Sequence, residues 1–135
     1  YPKSLAEMAK KFSAYEKVKE VIITENGAAF SDEVKNGNIY DKSRVDYIKQ
    51  NLKYLKQVNA CTNKIGGYFV WSLLDNFEWA EGYRPRFGLV HVDFKTLERT
   101  PKLSALWYKK TIEIHSESSK SGKILENNPI LSIQK

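Results

Sequence analysis

Cysteine is almost missing from this 135-residue chain: Cys61 stands alone. An internal disulfide and a cysteine-paired metal site are both excluded. No run of about 18 apolar residues occurs, so no helix-type membrane span is legible. The opening Tyr1-Pro2-Lys3-Ser4 lacks the charged start and apolar stretch of a secretory leader, and a cytoplasmic location is the expectation. There is no initiating Met, and helical spacing begins almost at once, as expected of a piece cut from a longer chain. The net charge is +6, yet Lys and Arg alternate with Asp and Glu instead of clustering. That pattern argues for solvated helix faces and against a nucleic-acid partner. Nowhere do His, Cys, Asp and Glu take metal-ligand spacing, and no cofactor is expected. What the chain does have is 41% hydrophobic and 13% aromatic residues, enough to bury one domain-sized core.

Periodicity orders the elements. Leu5, Met8, Ala9, Phe12 and Tyr15 recur at helical spacing from Ser4 to Tyr15, and Ser4 with Glu7 makes a capping-box pattern. Val21-Ile22-Ile23-Thr24 then reads as a short strand buried on both faces. Gly27 to Asp41 has no period and is expected to be a long loop, the kind of segment that tends to carry function. A second helix is predicted from Ser43 to Asn59 through Val45, Ile48, Leu52, Leu55 and Val58. Gly66-Gly67 reads as a break before a second buried strand, Tyr68 to Leu74. A further loop, Asp75 to Arg86, precedes an alternating stretch from Phe87 to Phe94. Thr100 and Pro101 fit the N-cap and first turn of a last helix that carries Leu103, Leu106, Trp107 and Ile114 and ends at His115. This order is that of a parallel α/β structure, and a closed barrel and an open sheet both satisfy it. Residues 1–115 form the expected domain, and residues 116–135, rich in Ser and charge, read as a flexible C-terminal extension.

Chemistry in parallel α/β folds gathers where loops leave the C-terminal ends of strands. Glu25 sits at that end of the first strand, followed by the turn-forming Asn26-Gly27. On position alone it suits a loop-bracing carboxylate as well as a reactive one. The second strand ends in Trp71-Ser72-Leu73-Leu74-Asp75-Asn76-Phe77-Glu78-Trp79, which brings two indoles, two carboxylates and an amide together. Carbohydrate sites use this mixture, because sugar rings offer apolar C–H faces to aromatics and hydroxyls to fixed polar groups. A core of stacked aromatics with surface acids has the same composition. Asp41 and Arg44 flank the second helix closely enough to pair and fix its loop, and His91 and His115 suit structural places better than catalytic ones.

Ile23-Thr24-Glu25-Asn26-Gly27, Gly67 through Trp79, and Arg86-Phe87-Gly88-Leu89 followed by Val92-Asp93 together resemble glycoside hydrolase family 1. The likeness runs from the first helix to about Thr111, with three motifs in family order. It implies an α/β fold that is part of a (β/α)8 TIM barrel, with this chain as its seventh and eighth βα units, incomplete alone. It also implies that Glu25 is the catalytic nucleophile of a retaining β-glycosidase, that Trp71 is a sugar platform, and that Glu78 accepts from sugar hydroxyls. Trp79 would donate its indole N–H to another hydroxyl, Phe87 would line the same subsite, and the Trp71-Ser72 peptide would be cis.

A retaining glycosidase needs two carboxyl groups about 5–5.5 Å apart. In the family the acid lies upstream in Thr-Asn-Glu-Pro or a similar motif, and no Asn-Glu-Pro occurs here. The expected partners are therefore a β-glucoside or related β-glycoside and either a complementing N-terminal barrel segment or further copies of the chain, the isolated chain being inactive. The Glu78-Trp79 pair argues for an unphosphorylated sugar, since phosphate-reading relatives would place small residues and a Lys nearby. Thioglucosides stay open, because the distinction falls at the missing acid. A non-catalytic sugar-binding or interaction fragment of a glycosidase-like protein is the alternative, opposed by the presence of Glu25. A third reading is a freestanding structural module.

Overall fold

The structure of the chain, a computed structural model, describes residues 1–121. Helix α1 spans Lys3–Ser13 and buries Ala6, Ala9 and Ser13. Its start differs from the capping-box expectation. Pro2, already helical at φ −60°, opens the helix, so Ser4 lies inside the first turn and its hydroxyl donates back to the Tyr1 carbonyl at 2.8 Å. Strand β1 covers Val21–Asn26, and β4 covers Ile65–Val70. The two pair in parallel, Ile23 opposite Tyr68 and Asn26 opposite Val70. Between them run a hairpin, β2 (Val34–Lys35) and β3 (Asn38–Ile39), and the crossover helix α2, Lys42–Thr62. Helix α2 outlasts the expected Asn59 end and closes on Asn63 in the left-handed conformation, φ 50°.

One face of the strand pair meets the helices. Ala9, Ile23 and Leu55 form its buried centre, with Leu5, Val21, Ile65 and Tyr68 packed around them. The other face is open: Ile22 is 47% and Phe69 60% exposed. The expectation of strands buried on both faces is thus met on one face only within the described residues. Gly66 and Gly67, expected to break the chain before the strand, lie inside β4. A Cβ on Gly66 would sit 2.0 Å from Glu20 Oε1, and one on Gly67 would sit 3.3 Å from an Ile22 methyl. These glycines admit close neighbours instead of ending pairing.

Downstream, Leu74 makes a parallel bridge to Val90, where β5 (Val90–Val92) begins its antiparallel pairing with β6, Arg99–Pro101. Thr100 and Pro101 therefore belong to a strand and do not cap the last helix. Helix α3 starts at Leu103 and reaches Ser121, past the expected end at His115. Its start is served from a distance: Asp41 accepts from Ser104 N at 2.8 Å and from the Ser104 hydroxyl. The rest of the expected extension, residues 122–135, lies outside the described residues. The architecture is α/β with a parallel two-stranded sheet and no closed barrel among the described residues.

Candidate functional site

Because β1 and β4 run in parallel, both end on one edge of the molecule. Glu25 is the second-last residue of β1, and Trp71 follows β4 directly. Trp71 N donates to Asn26 O at 3.1 Å, so the two strand ends stay stitched beyond the last register pair. Gly27 is required at this seam, since a Cβ there would lie 1.7 Å from Trp71 O. Asn26 is fixed as well: Tyr68 Oη donates to its Oδ1 at 2.7 Å, and its Nδ2 donates to Tyr47 Oη at 3.2 Å. Burial, with the neighbouring Tyr108 and Tyr47, pushes the Tyr68 phenol far above its ordinary pKa, so it remains a donor. The Glu25 residue is exposed, and its carboxylate enters no hydrogen bond or ion pair among the described residues.

The Trp71–Ser72 peptide is cis. Trp71 Nε1 donates to Glu78 Oε1 at 3.3 Å, joining an indole and a carboxylate seven residues apart on one surface. Trp79 opens a 3₁₀ turn, Trp79–Glu81, at φ 46°, and the residue is 85% exposed. Gly82, at φ 63°, closes that turn and accepts from Glu78 N at 2.8 Å. Phe87 is half-buried, and its carbonyl accepts from Ser72 N at 3.3 Å. Of the five residues expected at the site, the structure joins Trp71 and Glu78 side chain to side chain and ties Phe87 to them through backbone. Glu25 stands at the adjoining strand end, and Trp79 projects from the loop beyond. The cavity beside this loop is lined by Phe30, Asp32, Arg84 and Arg86.

Beneath these loops is a buried ionic cluster that the sequence reading saw only at its Asp41–Arg44 corner. Arg44 pairs with Asp41 and, at 3.0 Å, with Asp32. Lys102 Nζ bridges Asp32 and Asp75, the latter at 2.9 Å. Arg86 reaches Asp75 at 3.1 Å. Asp75 also accepts from Gly88 N at 2.9 Å, so both its oxygens are engaged. Burial alone would lower the Arg44 pKa, but the hydrogen bonds and charges of Asp32 and Asp41 outweigh it and raise the value. Arg44 Nε has no acceptor among the described residues, although Phe30 lies against the guanidinium at 5.3 Å. Among the described residues no group of three or more His, Cys, Asp or Glu side chains could hold a metal ion, and the three aspartates here are already met by cations.

Strand ends that gather indoles and carboxylates on one edge place the chain among parallel α/β proteins with a rim suited to carbohydrate. Comparison with known proteins gives the family. The profile of Glycosyl hydrolase family 1 matches residues 1–117. A 6-phospho-beta-galactosidase of Streptococcus mutans is 45% identical over 114 residues, which is 84% of this chain and 24% of that protein. The solved GH1 beta-glucosidase of Exiguobacterium antarcticum superimposes with a TM-score of 0.82 at 43% identity, over 87% of this chain and 26% of that one. A family 1 β-glucosidase of Thermotoga maritima, solved with isofagomine lactam, gives 0.81 at 44% identity, over 84% and 26%. The chain belongs to Glycosyl hydrolase family 1, and it spans about a quarter of the length of these relatives.

Proposed function

We propose that the chain supplies the seventh and eighth βα units of a (β/α)8 barrel, and with them the nucleophile of retaining β-glycoside hydrolysis. The reading rests on one observation above all: the parallel pairing of β1 with β4 sets Glu25 beside the Trp71–Glu78 pair on a common edge. A glycoside stacked on Trp71 offers hydroxyls to Glu78 and Trp79, with Phe87 along the same subsite. A Glu25 oxygen attacks the anomeric carbon, the bond to the leaving oxygen breaks, and a glycosyl ester forms. The proton for the leaving oxygen comes from an acid outside this chain, on the complementing N-terminal segment. That same group then takes a proton from the water that cleaves the ester. Self-association would cover the same open faces but would bring no Asn-Glu-Pro acid, because the sequence has none.

An unphosphorylated sugar, glucoside-like, is the favoured substrate, since the Glu78 carboxylate would repel a sugar phosphate in its subsite. A 6-phosphorylated galactoside is the second reading, favoured by the 45% identity to the streptococcal 6-phospho-beta-galactosidase. Joining the chain to an N-terminal segment from the Exiguobacterium β-glucosidase tests both. The hybrid should hydrolyse nitrophenyl β-glucoside with kcat/KM about tenfold or more above that for the 6-phosphogalactoside. Glu25→Gln should lower kcat about 10³-fold or more, as loss of a covalent nucleophile does. Equal rates from the wild-type and Gln hybrids would end the nucleophile assignment, and faster turnover of the phosphorylated substrate would select the second reading.

A further inference from the structure

The two loops that flank the site leave different strands, and little backbone pairing joins them. Among the described residues the one backbone link between them is long, Phe30 N donating to Arg86 O at 3.4 Å. What holds them together is the ionic cluster. Asp32 belongs to the loop that follows Glu25's strand. Asp75 opens the loop that carries Glu78 and Trp79, and it also grips that loop's far end through Gly88 N and Arg86. Lys102, just before α3, is fully buried and places its ammonium between Asp32 and Asp75. The cluster sets Arg44, Arg86 and Lys102 against Asp32, Asp41 and Asp75, so its charges balance. Among these cations Lys102 is the one that bonds a carboxylate from each site loop.

We propose that Lys102 is a positioning residue: by bridging Asp32 to Asp75 it fixes the Glu78–Trp79 loop relative to the loop that leaves Glu25. The catalytic consequence rests on the glycosidase reading above, whereas the mechanical one does not. Loss of the bridge lets the sugar-binding loop drift while Glu25 stays on β1, whose pairing with β4 involves none of these charges. Sugar binding suffers first, and the attack step much less.

The test separates the bridge from charge balance and from overall stability. Lys102→Met combined with Asp32→Asn removes the bridge and leaves two cations against two carboxylates, so a purely electrostatic role is compensated. Hydrogen exchange on the full chain should show the Phe30 and Gly88 amides exchanging about tenfold faster or more, with α2 amides from Ile48 to Leu52 within about twofold of wild type. In the hybrid enzyme the same pair should raise KM for nitrophenyl β-glucoside about tenfold and leave kcat within about threefold. Unchanged Phe30 and Gly88 exchange, a uniform rise across the molecule, or loops unprotected in the wild type would each overturn the proposal. So would a fall in kcat at constant KM. If the double variant does not fold, Lys102→Met alone removes the bridge while Asp32 keeps Arg44 and Asp75 keeps Arg86, and faster exchange at Phe30 and Gly88 with α2 unaltered then decides in favour, its absence against. An inactive wild-type hybrid would count against the glycosidase reading, while the exchange result still decides the role of Lys102.

Discussion

Glu25 exposes a division of labour among neighbouring residues. Its own carboxylate is exposed and unpaired among the described residues, whereas the residues on either side of the seam are pinned. Asn26 is held by two tyrosines, and Gly27 lies against the Trp71 carbonyl. Order thus lies in the backbone and the supporting amide, and on the proposed reading the attacking oxygens of Glu25 are left free. Tyr68 carries a testable consequence. Its folded pKa lies above the unfolded value near 10, so the folded state holds a proton that the unfolded state loses. The associated stability is complete below about pH 10 and is lost as pH rises from there toward the folded value. Urea midpoints measured from pH 8 to 11 should fall along that limb, and Tyr68→Phe should flatten the fall while lowering the neutral-pH midpoint through the lost bond to Asn26.

Elements meet here through side chains that bridge long stretches of sequence. Asp41 sits at the start of α2, yet it serves the start of α3 63 residues away and pairs with Arg44, one turn along its own helix. Replacing Asp41 by Ala would strip α3 of these acceptors and leave the buried Arg44 with Asp32 as its remaining carboxylate. Breaking one side of a buried pair costs about 3–5 kcal/mol, so Asp41→Ala should lower the urea midpoint sharply. Asp41→Asn, which retains acceptor oxygen, should cost less. A midpoint shift within error for Asp41→Ala would show that the cluster adds little to docking α3.

At the scale of the whole molecule, the helices cover one face of the strand pair and leave the other open. Phe69 and Leu73 are 60% and 68% exposed, and Leu106 and Ile112 on α3 are more than half exposed. A cavity of about 720 Å³ opens between β4 and α3, lined by Tyr68, Val70, Leu89 and Tyr108 among others. Monomeric proteins seldom leave such contiguous apolar surface uncovered. The isolated chain is therefore expected to sediment as species heavier than its 15.6 kDa monomer, and Leu73→Lys with Ile112→Lys should shift it toward monomer. A wild-type chain that stays monomeric at high concentration would refute this. No helix among the described residues is long and apolar enough to cross a membrane.

The sequence by itself determined the alternation of helix and parallel strand, the placing of Glu25 at a strand end, and the motif set of the family; it carried the second strand on to Leu74, whereas β4 ends at Val70 and leaves Trp71 just beyond it. Each of these depends on local period or on contiguous residues, which a linear reading contains. The β2–β3 hairpin was missed, Gly27 to Asp41 being read as one long loop; its signal is Asn36-Gly37, which turns at φ 50° and 73°. Gly66-Gly67 and Thr100-Pro101 misled for one reason: their local chemistry suits a break and a cap, but contacts with Glu20 and the β5–β6 pairing outweigh it. Only the tertiary structure could reveal Asp32 and Lys102 as partners across 70 residues. A buried charge is tolerable where an opposite charge meets it, and which residues meet is settled by the folded chain, not by any short window of sequence.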